Sequence, residues 1–166
     1  MRAILLGLVL LPLFAAACGG GSPSFPDPAP CPAAAPLATI PPGSRRPPPY
    51  FTAVQVGVNR IAQLREVHRG FYPTDTFSRR AEFRMRFADY ADETVCAAEY
   101  VINLKPGEER FSQFDADLEA ALTALIAHTR EGREAVKSRN VSDYRDWYKG
   151  VDGKVAAVTA AAVLER

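Results

Sequence analysis

The sequence predicts an all-α fold, an up-down four-helix bundle that follows an apolar N-terminal stretch and a proline-rich segment. Two observations support this prediction. Apolar residues recur every three or four positions along four stretches, which is the period of an α-helix with one buried face. The expected connections, at residues 70–74, 105–107 and 140–141, are short, so consecutive helices should be antiparallel neighbours.

The N-terminus has the pattern of a secretion signal. Arg2 provides a positive charge, residues 3–14 are almost wholly apolar, and the small residues 15–17 stand directly before Cys18. About a dozen apolar residues are too few to span a bilayer as a helix, which takes roughly 20. Residues 1–17 are therefore expected to be a cleaved signal peptide.

This start resembles the signal peptide of a bacterial lipoprotein. The resemblance implies that Cys18 is lipidated, with palmitate as an acyl chain, and becomes the N-terminus of a protein anchored in the cell envelope. Gly19 stands where an aspartate would favour retention, so in a bacterium with two membranes the resemblance favours the outer membrane; the other expected location is the outer face of the cytoplasmic membrane. The family usually has leucine where this chain has Ala15, and residues 15–17 also fit ordinary secretion, which would release a soluble protein.

Residues 18–49 are expected to form a tether that joins the lipid to a helical domain at residues 50–166. Eleven of the chain's 14 prolines fall in residues 19–49. Proline lacks a backbone donor and favours extended polyproline II, so this stretch should not form a packed core.

The other two cysteines, Cys31 and Cys96, form an even pair if Cys18 carries lipid. An oxidising compartment would allow them to form a disulfide, which would pin the middle of the tether to the domain and leave residues 19–30 free. The alternative is two unpaired thiols, and the distance between the two residues decides between them.

The four helices are predicted at residues 50–69, 77–104 and 106–137, and from Ser142 onward. Ser142 is the expected N-cap of the last one. The faces predicted to be buried are Val54, Val58, Ile61, Leu64 and His68; Phe83, Phe87, Tyr90, Thr94, Ala97 and Val101; Phe111, Phe114, Leu118, Leu122, Leu125, Thr129, Gly132 and Val136; and Tyr144, Trp147 or Tyr148, Val151, Val155, Val158 and Ala162.

Two local patterns favour other structures. Apolar residues alternate at 54–58 and at 83–87, which is the strand period, so an α+β fold is the alternative. Gly150 and Gly153 each weaken a helix by about 1 kcal/mol relative to alanine, and would allow the fourth helix to break in two.

Charge is unevenly distributed along the predicted helices. Residues 60–86 and 130–149 hold 13 basic and 7 acidic side chains, whereas residues 89–119 hold 2 basic and 9 acidic ones. Antiparallel threading would collect these charges at opposite ends of the bundle. The alternative is that the opposed charges pair between neighbouring helices. The residues expected to bind an anionic partner at the basic end are Arg79, Arg80, Arg84 and Arg145.

The position of the tether predicts how this end is oriented. Because the tether enters at Tyr50, beside the acidic end, the basic end is expected to point away from the membrane. Its partner would be an anionic cell-wall polymer, an acidic protein surface or a phosphorylated ligand. The formal net charge of +1 argues against a dedicated nucleic-acid binder.

Motifs for catalysis, metal binding or cofactor binding are poor, and no catalytic, metal or cofactor site is predicted. His128 and Glu131 are spaced to share a helical face and so could provide two metal ligands. Met85 and His128 are the one conceivable pair of haem ligands. A boundary or core position is expected for the histidines instead. The chain lacks the Gly-x-Ser-x-Gly turn and the Cys-x-x-Cys-His motif.

Tyr144, Trp147 and Tyr148 form the densest aromatic cluster. Two of the three should be core residues, and the outward-facing one could stack on a sugar or on a partner side chain.

Together these patterns favour a membrane-anchored, non-enzymatic binding or adaptor module of the cell envelope. The alternative is a carrier for a small ligand, metal or haem, with its site between helices. An enzyme is disfavoured because no set of nucleophile, base and orienting residue is visible.

Overall fold

Four helices form the folded part of the chain, which is described by a computed structural model at residues 24–33, 37, 49–104 and 111–163. The predicted all-α fold is confirmed, and residues 54–58 and 83–87 are helical rather than extended. The helices are α1 (Pro49–Phe71), α2 (Ala81–Asn103), α3 (Ser112–Ser138) and α4 (Val141–Ala161).

Each helix packs antiparallel against the next, and α4 closes the ring against α1. Between α2 and α3, Asp92 pairs with Arg133 and Glu99 pairs with Arg130. Residue numbers therefore rise along one helix as they fall along the other, which is the antiparallel order. The same order holds for the other neighbours, as in the contacts Arg60–Glu93, Gln55–Ala162, Arg65–Asp152 and Gly132–Trp147.

This topology defines two ends of the bundle, named here after their charge. At the basic end α1 and α3 finish and α2 and α4 begin, so it contains residues 71–81 and 138–141. At the acidic end α1 and α3 begin and α2 and α4 finish, near Pro49, Asn103 and Ser112.

The core changes character along the bundle axis. The half near the acidic end is mainly aliphatic, and the half near the basic end is aromatic. Rings from α2 and α4 fill the basic half, and the centroids of adjacent rings lie about 5 to 6 Å apart, in the range of favourable edge-to-face contact. The aliphatic half includes Val54, Val58, Ile61, Val101, Leu118, Leu122, Leu125 and Val158. The aromatic half includes Phe83, Phe87, Tyr90, Tyr144 and Trp147.

The predicted start of the second helix and the predicted N-cap of the fourth were wrong. The second helix begins at Ala81, because Phe77 packs edge-on against Phe83 and Tyr144, both at 5.5 Å, from a non-helical backbone. The fourth helix is capped by Asn140, whose side-chain oxygen accepts from two backbone N–H groups in the first turn, so Ser142 is not the N-cap. The helix continues through both of its glycines.

The predicted start of the third helix, residues 106–110, lies outside the described residues. The helix is described from Ser112, with Phe111 before it in a single 3₁₀ position. It ends at Ser138, one residue beyond the prediction, and Arg139 follows in the left-handed conformation with φ of 59°.

We predict opposite effects for alanine at two helical glycines. A Cβ at Gly132 would lie 2.5 Å from the buried ring of Trp147, so Gly132→Ala should force α3 and α4 apart and cost about 1–3 kcal/mol. A Cβ at Gly153 meets nothing within 4 Å, so Gly153→Ala should stabilise α4 by about 1 kcal/mol. Urea unfolding of both variants checks this, and a shift of the same sign in both would contradict the packing described.

Candidate functional site

A disulfide joins Cys31 to Cys96 and so attaches the proline-rich segment to α2, with the two α-carbons 5.1 Å apart. Residues 24–33, named here the anchor segment, are the described part of this stretch. The link closes over a sequence separation of 65, which restricts the unfolded chain more than the folded one.

Phe25 is the aromatic contact of the anchor segment with the bundle. The guanidinium of Arg133 lies 4.9 Å from the centroid of its ring, and that of Arg84 lies 5.4 Å away. Both distances fall within the range of cation–π attraction, which strengthens as the cation is desolvated. The ring is half-buried and packs against the aromatic half of the core.

Arg133 and Asp92 supply the polar contacts of the segment. The Arg133 Nε donates to Asp92 across 2.9 Å, and Nη2 donates to the Pro26 carbonyl across 2.7 Å. The Ala29 N–H donates to the second oxygen of Asp92 at 3.2 Å. Prolines alternate through this stretch and remove backbone donors, so Ala29 offers one of few N–H groups. The Arg133–Asp92 ion pair thus makes two hydrogen bonds to the backbone of the anchor segment: Asp92 accepts one from Ala29, and Arg133 donates one to Pro26.

The expectation that residues before Cys31 are free is therefore wrong for residues 24–30. Their contacts also give the direction of the chain, since Phe25 meets Arg84 and Ala29 meets Asp92 before Cys31 meets its partner in α2. The anchor segment runs parallel to α2, from the basic end toward the acidic end. The described part of the chain consequently first meets the bundle near the basic end, not at Tyr50.

The four arginines predicted to bind an anionic partner divide into two groups. Arg79, Arg80 and Arg145 are exposed and form no ion pair with any described residue. Arg84 is only 7% exposed and lies against Phe25. Its position is a correction, because its guanidinium holds the anchor segment and is not available to a partner.

Several other cations of the basic stretches pair with carboxylates on neighbouring helices. Arg130 contacts Glu99 at 2.9 Å, and Arg60 contacts Glu93. Both pairs are largely exposed, so each contributes little to stability. They nevertheless reduce the charge imbalance that the sequence suggests, and they leave the uncompensated cations concentrated at the tip of the basic end.

Two ionisable side chains, Arg65 and His68, are buried in the aromatic half of the core and are only 2% and 4% exposed. The Arg65 Nε donates to Asp152 at 2.6 Å, which lowers the pKa of that carboxyl. The Arg65 Nη1 lies 3.2 Å from His68 Nδ1. Since guanidinium can only donate, Nδ1 must accept, and the neutral imidazole carries its proton on Nε2. The His68 ring lies 4.4 Å from Tyr90 and 5.7 Å from Trp147, between centroids.

His68 and Tyr90 also form part of the wall of a cleft of about 170 Å³ between α1 and α2. The cleft has apolar sides that include Leu64, Val67 and Phe71. However, the His68 Nε2 and the Tyr90 hydroxyl are both enclosed and have no hydrogen-bond partner among the described residues. A molecule in the cleft would meet apolar side chains, ring surfaces and the charged groups of Arg86, Asp89 and Glu93 rather than these two polar atoms.

The other histidine has a structural role. The His128 Nε2 donates to the Trp147 carbonyl at 2.9 Å, and its Nδ1 lies 3.3 Å from Glu131. The imidazole therefore links α3 to α4. Met85, its conceivable haem partner, is 39% exposed on α2. This arrangement does not favour an axial ligand pair.

The predicted aromatic cluster is largely internal. Tyr144 and Trp147 are buried, and Tyr148 is the outward member. The Tyr148 ring lies 4.8 Å from the Arg65 guanidinium, and its hydroxyl donates to the Tyr72 carbonyl at 3.2 Å. Both contacts hold the Tyr148 side chain against the bundle. The predicted role of the outward-facing ring, stacking on a sugar or on a partner side chain, therefore loses its support.

No known protein family, curated protein or solved structure matches this chain. No helix in the described ranges is long and apolar enough to cross a membrane. The described residues likewise contain no cluster of three or more His, Cys, Asp and Glu side chains that could hold a metal ion.

We predict that His68 makes stability depend on pH. Burial and the nearby Arg65 lower the pKa of His68 to about 3, from 6.5 in the unfolded chain. As pH falls below 6.5 only the unfolded chain gains this proton, so the free energy of unfolding should fall with a slope that rises to about 1.4 kcal/mol per pH unit near pH 5. Urea unfolding between pH 6.5 and 5, above most carboxylate titration, measures the slope. It should disappear in His68→Phe and persist in the control His128→Gln.

We predict that the disulfide contributes strongly to stability. Replacing both Cys31 and Cys96 by serine should lower the free energy of unfolding by about 4 kcal/mol, given the length of the closed loop. A chain with Cys18→Ser alone is the matched reference, because it changes the same residue type outside the described domain. A difference below about 1 kcal/mol in urea unfolding would show that the anchor segment is not held as described.

Proposed function

We propose that this protein is a lipid-anchored, non-enzymatic binding module of the bacterial cell envelope. Its helical domain would be held at an outer membrane, or at the outer face of a cytoplasmic membrane, by lipid on Cys18. The observation that carries the proposal is the attachment of the anchor segment, which follows the signal-like start directly, to α2 through a disulfide.

The disulfide supports this location and also limits the distance between the domain and the membrane. Disulfides persist in oxidising compartments outside the cytoplasm, which agrees with export. The attachment also shortens the tether, because six positions separate Cys18 from the first described residue, Ser24. The domain would be a module kept close to its membrane rather than one presented at a distance.

The surface that supports a binding role is the tip of the basic end. Arg79, Arg80 and Arg145 expose guanidinium groups that no described carboxylate pairs with. Guanidinium groups suit phosphate and carboxylate recognition because they donate several hydrogen bonds in a fixed plane. We propose that these three residues contact an anionic component of the envelope.

We predict that Cys18 carries the lipid. A bacterial host grown with an alkyne-tagged palmitate should incorporate the tag into the wild-type protein and place it in the membrane fraction. Cys18→Ser should lose both the tag and the membrane association, while the double variant Cys31→Ser/Cys96→Ser should keep both. A soluble, untagged wild-type protein that begins at Cys18 would instead establish ordinary secretion.

A further inference from the structure

The anchor segment limits where the lipid can lie. Ser24 adjoins Phe25, which packs against Arg84 in the first turn of α2. Cys18 is six residues earlier, and an extended chain covers at most about 3.3–3.6 Å per residue, or about 20 Å in all. A lipid on Cys18 would therefore lie within about 20 Å of this point.

That reach is shorter than the bundle. From Arg84 to Asn103, the last residue of α2, there are 19 helical steps of about 1.5 Å, or about 29 Å. A lipid attached at Cys18 thus falls short of the acidic end, whereas the basic end lies only a few residues from Arg84. The expectation that the basic end points away from the membrane is consequently reversed for a lipidated chain.

The charge of the tip agrees with this geometry. Its exposed cations without a described ion-pair partner are Arg79, Arg80, Arg139 and Arg145. Nearby Glu82 and Glu134 are already paired with Arg86 and Lys137. The opposing carboxylates are Asp75, Asp143 and Asp146, of which Asp143 accepts a hydrogen bond from the Asn140 amide. The local excess is small, but the acidic stretch 89–119 at the far side adds to an axial charge asymmetry.

An exposed aromatic residue distinguishes a lipid surface from a soluble polyanion. Phe71, at the end of α1, is 57% exposed, and the Arg86 guanidinium lies 4.3 Å from its ring centroid. An aromatic ring beside cations is the combination found where proteins lie on lipid headgroups.

We infer that the basic end rests on the anionic phospholipid headgroups of the membrane that holds Cys18, with Arg79, Arg80, Arg139 and Arg145 toward the phosphates and Phe71 at the interface. This inference rests on the proposed lipidation and names the anionic component that the tip contacts. The lipid provides the attachment, and the charged tip sets the orientation. The acidic end then faces away from the membrane.

Fluorescence transfer from the protein to headgroup-labelled lipid tests the orientation. The full lipidated chain is reconstituted in phosphatidylcholine vesicles with or without phosphatidylglycerol, and carries a fluorescent non-natural residue at Ser142 or at Ala160. Both positions are exposed on α4, at its opposite ends and about 27 Å apart along the axis. We expect more transfer from 142 than from 160 in anionic vesicles, and a smaller difference at high salt.

Variants separate charge from attachment. Arg79→Gln/Arg80→Gln/Arg145→Gln should reduce the difference between the two probes to its value in phosphatidylcholine vesicles, where the short connection to Cys18 alone orients the protein, while the protein stays on the vesicles. The control Arg60→Gln/Arg130→Gln/Lys154→Gln removes the same charge elsewhere and should keep it.

Two results would count against the inference in distinguishable ways. Equal transfer from both probes, in protein that floats with anionic vesicles, overturns the orientation and leaves the arginines to a soluble anionic partner. Protein that does not float even with neutral vesicles has no lipid, which overturns the proposed anchoring and the orientation together.

Discussion

The ion pair between Arg133 and Asp92 connects three separate parts of this protein. It joins α3 to α2, and its remaining hydrogen-bonding capacity goes to the anchor segment, through Pro26 and Ala29. The side chains of the two residues are 6% and 15% exposed, so breaking the pair would leave a charge with little access to water. Burial of that kind makes removal of one partner costly, by about 3–5 kcal/mol. The path of the anchor segment along the bundle depends on this pair.

The fold could be predicted from periodicity because a helix that buries one face repeats its apolar residues every three or four positions. That pattern identified Val54, Phe87, Leu122 and Val151, all of which are buried. It could not locate the start of α2, because Phe77 is partly buried from a non-helical backbone, and periodicity does not report packing of that kind.

The site was harder to predict because its contacts bring together residues far apart in the chain. Arg84 looked like a surface cation, and nothing local indicates that Phe25 covers it. One signal was present, since Phe25 is the only aromatic residue in 18–49 and a free tether has no need of one. His68 was expected to be a core residue. Its contact with Arg65, which fixes the imidazole tautomer, requires knowing that the buried guanidinium turns toward α4 to meet Asp152.

The order of charges along α2 is explained in part by these contacts. Cations come first and anions last, against the preference of the helix dipole. The late anions Asp92, Glu93 and Glu99 have partners on α3 or α1, and these interhelical pairs account for their position. The early cations Arg79 and Arg80 have no such partner among the described residues. The unfavourable interaction of these two cations with the dipole of α2 is not offset by an ion pair with any described carboxylate. An anionic surface next to this end would offset it. A lipid on Cys18, as proposed, would place a membrane surface beside this end.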